Sequence, residues 1–138
     1  MEERGLLWAA TATAVAFGAL LSLTAHGLIF PGLAIYVSTW IIDALAFGCF
    51  AFAVGTFLAT TQASPRYRFL CGAIALTAFT LGAAGVALDP GGHHTVTSFG
   101  IVIPEIVSRL LCGATACCLA LGSGLTWYRV IRPPGDAA

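Results

Sequence analysis

The sequence predicts an all-α fold, an integral membrane four-helix bundle, and three observations carry that expectation. Of 138 residues, 59% are apolar and only 9% are charged, against roughly 25% charged in soluble domains, and mean hydropathy is +0.94. The apolar residues gather in four runs, Leu6 to Phe30, Ala34 to Thr60, Phe69 to Leu88 and Phe99 to Tyr128, in which Asp43, Glu105 and Arg109 are the only formally charged side chains. Each run reaches roughly 20 residues or more, which at about 1.5 Å per residue crosses a hydrocarbon core of about 30 Å. The expected helices therefore occupy about 6–30, 35–60, 69–88 and 99–128 of a single domain covering 1–138.

The first run follows Glu2, Glu3 and Arg4. It exceeds the about 7 to 15 apolar residues of a secretion signal, and two glutamates make a poor basic leader, so a retained helix is expected, with a cleaved organelle-targeting extension either absent or already removed. Pro31-Gly32 marks a tight turn into the second run. The third run is preceded by Pro65, Arg66 and Arg68 and is closed by Asp89-Pro90-Gly91-Gly92. Pro104, inside the opening of the fourth run, lacks a backbone donor. Two readings stay open there: an outer interfacial turn ahead of a helix that begins after Pro104, or a helix from Ser98 kinked at the proline.

Arg4, Arg66, Arg68, Arg129 and Arg132 all fall at one end of an up-and-down arrangement, and the other two loops carry no Lys or Arg. The positive-inside rule places both termini on the cytoplasmic or matrix side of a bacterial or organelle inner membrane. The aromatic residues give the same orientation: Trp8, Tyr67, Trp127 and Tyr128 fall at the inner interface, Tyr36 and Trp40 near the outer one.

Lipid tails give helices no hydrophobic reason to associate, so small residues must let backbones approach. The pairs Gly18 with Ser22, Ala44 with Gly48, Ala51 with Gly55, Ala78 with Gly82, Gly113 with Cys117 and Ala120 with Gly124 recur at four-residue spacing. Packing within the chain is the simpler use of these seams, and a dedicated dimerisation motif is the alternative. Gly82, Ala83, Ala84 and Gly85 also form a smooth surface that suits a helix, a quinone tail, a carotenoid or an acyl chain.

The polar residues gather on the outer side. His26, Asp43, Asp89, Glu105 and Arg109 lie in the outer parts of the helices, with His93 and His94 in the loop above. Ionisable groups are costly inside a membrane and are candidate functional residues for that reason. Three readings compete. Glu105 and Arg109, four residues apart, neutralise each other while Asp43 caps or pairs across helices or with a neighbouring subunit. Alternatively His26, His93, His94, Asp43 and Glu105 hold a metal, with bis-histidine haem a poorer fit because these histidines are at helix ends or in a loop. In the third reading Asp43 and Glu105 titrate along an ion path.

Cys49, Cys71, Cys112, Cys117 and Cys118 contain no CxxC pair, and thiols in hydrocarbon behave as small apolar packing groups. Neither a phosphate-binding glycine loop nor a nucleophile elbow is present. The first helix lacks the acid of small multidrug exporters, and the intramembrane CxxC of quinone-linked thiol oxidoreductases and the Arg/Glu set of glutathione-dependent membrane transferases are missing. Zero net charge gives no electrostatic case for nucleic acid.

These features lead to an expected role as a small non-catalytic accessory subunit of a larger membrane complex, of a bioenergetic or electron-transfer kind, with membrane lipids and other transmembrane subunits or further copies of itself as partners. No cofactor is required by the sequence. The alternative is a small metal-binding or ion-translocating membrane protein.

Overall fold

Helix α1 (Glu2–Ala25) buries one narrow stripe. Leu7, Thr11, Ala14, Gly18, Leu21 and Ser22, spaced three and four apart, are buried or half-buried, while Leu6, Trp8, Val15, Phe17 and Leu20 are exposed. The computed structural model describes residues 2–29, 38–61, 63–89, 96–98 and 101–132. Three further helices follow, α2 (Thr39–Thr60), α3 (Pro65–Leu88) and α4 (Glu105–Ile131), with a short antiparallel hairpin, β1 (Val96–Ser98) and β2 (Ile101–Ile103), between the last two. The four helices hold 24, 22, 24 and 27 residues. All four are long and apolar enough to cross a membrane.

The helices form an open row. Each packs on its neighbour in sequence, α1 on α2, α2 on α3 and α3 on α4, and among the described residues no other helix pair packs extensively. Contacts run in antiparallel order, from Thr11–Thr56 to His26–Asp43 between α1 and α2 and from Thr77–Ser123 to Arg109–Ala87 between α3 and α4. The start of α1, the α2–α3 connection and the end of α4 thus share one end of the row, called here the terminal end. The opposite, distal end carries the start of α2, the end of α3 and the hairpin.

Close approach is concentrated where glycine meets another helix. A Cβ on Gly18 would stand 3.1 Å from Cys49 Cβ and 3.2 Å from the Ala46 carbonyl oxygen; one on Gly55 would stand 3.2 Å from Cys71 Cβ. At Gly82 the Leu45 side chain already fills the place, 2.5 Å from such a Cβ, and at Gly85 Trp40 and Ile41 do so. Ile41 is fully buried between α2 and α3, the centre of the row. Hydrophobic transfer does not distinguish this arrangement from separated helices in lipid, so van der Waals fit and interhelical hydrogen bonds must hold it.

The element boundaries differ from the hydropathy reading for local reasons. α1 ends at Ala25 rather than near 30 because Gly27, at φ 69°, closes it. The Leu28 N–H donates to the Leu23 carbonyl at 2.9 Å and Gly27 N–H to Thr24 at 3.1 Å, the paired bonds of a Schellman terminus. α3 starts at Pro65 because proline suits the first helical position, so Arg66, Tyr67 and Arg68 extend the helix beyond its apolar part. The fourth helix, expected from about 99, begins only at Glu105. The β-branched residues Val96, Thr97, Ile101, Val102 and Ile103 favour extended backbone, and the residue before Pro104 is driven out of the helical region. Of the two readings of Pro104, the structure has the one in which the spanning helix begins after the proline, but the segment ahead of it is an extended hairpin rather than an interfacial turn.

Candidate functional site

Three polar clasps cross the distal end, one at each helix interface. Between α1 and α2, His26 Nε2 lies 3.3 Å from Asp43 Oδ1. The Schellman turn ends α1 at this level, and Asp43 projects from the second turn of α2. Between α2 and α3, the Ser38 hydroxyl donates to Asp89 Oδ2 at 2.9 Å and the Ser38 backbone N–H reaches the same oxygen at 3.4 Å. Between α3 and α4, Arg109 donates through Nη1 to the Ala87 carbonyl at 3.4 Å. The same guanidinium holds Glu105 Oε1 at 2.7 and 2.9 Å through Nη2 and Nε. Glu105, in the first turn of α4, also suits the positive end of that helix.

Deeper in the row, two hydroxyl pairs join helices. Thr11 and Thr56 are 2.8 Å apart across α1 and α2. Thr77 and Ser123 are 2.8 Å apart across α3 and α4, and the Trp127 indole N–H donates to Thr77 at 3.1 Å. Each threonine also lies within reach of a carbonyl of its own helix, Thr11 of Leu7, Thr56 of Ala53 and Thr77 of Ala73; with one proton per hydroxyl, one member of the Thr11–Thr56 pair donates to its helix while the other donates across the interface. In each pair one hydroxyl donates to the other. They carry no titratable chemistry, and their role is adhesion of the outer helices to the inner pair.

The residues singled out in the sequence separate into pairs. His26 meets Asp43, and Glu105 meets Arg109 at the far side of the row. His93 and His94 lie outside the described residues. Among the described residues no three His, Cys, Asp or Glu side chains converge on a position that suits a metal ion. The His26–Asp43 pair is half-exposed, with side-chain exposures of 55% and 43%. The thiols of Cys49, Cys71, Cys112, Cys117 and Cys118 are all free.

Of the small residues, Gly18, Gly48, Gly55 and Gly82 lie in interfaces between helices, and Ser22 is half-buried on the face of α1 that meets α2. Gly113 faces Ala87 at ordinary contact distance, and Ala44 lines an open groove. Gly124 is different: among the described residues a Cβ there would meet nothing within 4 Å. Ala120 and Gly124 occupy the exposed face of α4, with Leu121 and Leu125.

Several apolar grooves among the described residues were not visible in the sequence. One, of about 360 Å³, is lined by Trp40, Ala44, Phe47, Ala78, Leu81 and Trp127 of α2, α3 and α4. Another, of about 160 Å³, runs between α1, α2 and α3 near the terminal end. Ser38, Asp89 and the hydroxyl pairs were also missed as partners. Serine and threonine in apolar helices signal interhelical bonds, but helix register chooses the partner. No family model, no curated protein and no solved structure matches this chain.

Proposed function

We propose that this protein is a small, non-catalytic subunit of a larger membrane assembly, lying with both termini on the cytoplasmic or matrix side of a bacterial or organelle inner membrane. The observation that carries the proposal is the unused small-residue seam on α4. Ala120 and Gly124 have the spacing that lets helix backbones approach, yet their face of α4 is exposed and, among the described residues, no side chain fills the space beside Gly124. The open row leaves such a face accessible to another transmembrane helix. Orientation is supported by the gathering of Arg4, Arg66, Arg68, Arg129 and Arg132 at the terminal end, opposite Asp43, Asp89 and Glu105. A bioenergetic or electron-transfer complex is the proposed setting, by association with assemblies that accumulate small helical subunits.

A second reading, a metal-binding or ion-translocating protein, is favoured by one contact, His26 beside Asp43. The two readings separate under Asp43→Asn. A subunit loses assembled complex or abundance, because the clasp between α1 and α2 weakens. An ion-handling protein keeps its assembled amount and loses ion binding or transport. The direct test is gentle extraction from the native membrane, mass spectrometry of stoichiometric companions, and metal and haem analysis of the same sample. A chain that migrates alone or only with copies of itself and carries metal would overturn the subunit proposal.

A further inference from the structure

The geometry points to a binding site for one anionic phospholipid at the terminal end of the row, with an acyl chain in the groove between α1, α2 and α3 and the headgroup phosphate on Arg68. The groove is lined by Leu7, Phe52, Gly55, Thr56, Ala59 and Gly72, and Arg68 stands at its end. From Phe52 to Ala59 it follows about 10 Å of α2, and its volume is about 160 Å³. A hydrocarbon chain can lie along a groove of that volume, whereas a helix, about 10–12 Å across with its side chains, could set only side chains into it. The single hydroxyl in the wall, Thr56, already bonds to Thr11 and to the Ala53 carbonyl. The groove therefore offers its occupant no hydrogen bond, and a purely apolar chain fits.

The end of the groove has the opposite chemistry. Arg68 is exposed and makes no ion pair or hydrogen bond among the described residues, unlike Arg109, which holds Glu105. It also lines an adjoining concavity of about 330 Å³ with Pro65 and Phe69. Arg66 lies two residues away, and α3 opens here with no acid in its first turn and no side-chain cap. An unneutralised guanidinium beside an uncapped helix N-terminus attracts a phosphate. An anion at the mouth and a hydrocarbon chain in the groove together describe an anionic lipid. The site's placement in the leaflet where anionic lipids concentrate rests on the proposed orientation, but the binding itself does not.

The test uses the full-length chain purified in neutral detergent, with native mass spectrometry and thermal unfolding as readouts. Phosphatidylglycerol is expected to bind saturably at one per chain and to raise the unfolding midpoint, and phosphatidylcholine of the same chain length is expected to do neither. Arg68→Gln should weaken phosphatidylglycerol binding tenfold or more, while Arg132→Gln, an equal change of charge at the same end, should leave it within twofold. Ala59→Leu, which fills the groove and leaves Arg68 in place, should also weaken it. Glycerol phosphate, a headgroup without chains, should not compete. Equal losses in Arg68→Gln and Arg132→Gln would reduce the effect to general charge attraction and overturn the site. Equal binding of phosphatidylcholine, or competition by glycerol phosphate, would overturn the assignment of head or chain. These outcomes are independent of whether the chain joins a larger complex.

Discussion

Replacing Gly124 with leucine separates the stability of this chain from its assembly. Among the described residues a Cβ at Gly124 meets nothing within 4 Å, so a leucine there extends into open space. Leucine exceeds glycine in helix propensity by about 0.8 kcal/mol, and Gly124→Leu is expected to stabilise the isolated chain by up to that amount. Gly82→Leu is the matched control. There a Cβ would stand 2.5 Å from Leu45 Cδ2 and 2.8 Å from Leu45 Cγ, with the Ile41 carbonyl oxygen at 3.6 Å. Overpacking of this kind costs about 1–3 kcal/mol, which exceeds the propensity gain, so Gly82→Leu should unfold more readily. If a partner helix docks on Ala120 and Gly124, Gly124→Leu imposes the same overpacking on that interface. At about 1.4 kcal/mol per factor of ten, companion binding should fall by roughly 5- to 150-fold. The assay is equilibrium unfolding of each variant in mild detergent beside quantitative recovery of companion subunits from the native membrane. Normal companion recovery with Gly124→Leu would refute docking through this face. Destabilisation of the isolated chain by Gly124→Leu, comparable to Gly82→Leu, would show that the face is internal.

Two further predictions concern the contacts that hold the row. A double-mutant cycle of Thr77→Val and Ser123→Ala, read by unfolding in detergent, should give a coupling of about 0.6 kcal/mol, with about 1.7 kcal/mol as the upper range for such bonds; additive effects would remove the hydroxyl pair from the account of α3–α4 adhesion. Gly27→Ala should destabilise the chain by about 1–2 kcal/mol because an L side chain is strained at φ 69°, and Leu28→Ala, which keeps the backbone bond to Leu23, should cost less; an unchanged unfolding midpoint in Gly27→Ala would mean that the Schellman terminus does not anchor the end of α1.

The sequence by itself determined the number of helices and that each is long and apolar enough to cross a membrane, because that needs only enough consecutive apolar residues. It also separated the arginine-rich end from the end with Asp43, Asp89 and Glu105, a property of linear order in an up-and-down chain. The Glu105–Arg109 pair was legible because one turn of helix brings residues four apart together. Exact helix ends were less so: Gly27 and Pro104 act through local backbone geometry, which hydropathy does not register. Tertiary structure alone decided that the helices stand in an open row, that Gly18 is enclosed while Gly124 is not, and that His26 meets Asp43 while Ser38 meets Asp89. Those outcomes depend on the rotation and register of each helix about its own axis. Glycines with the same four-residue spacing in the sequence are equivalent until a neighbouring helix chooses one face, and in lipid that choice is made by fit rather than by hydrophobicity.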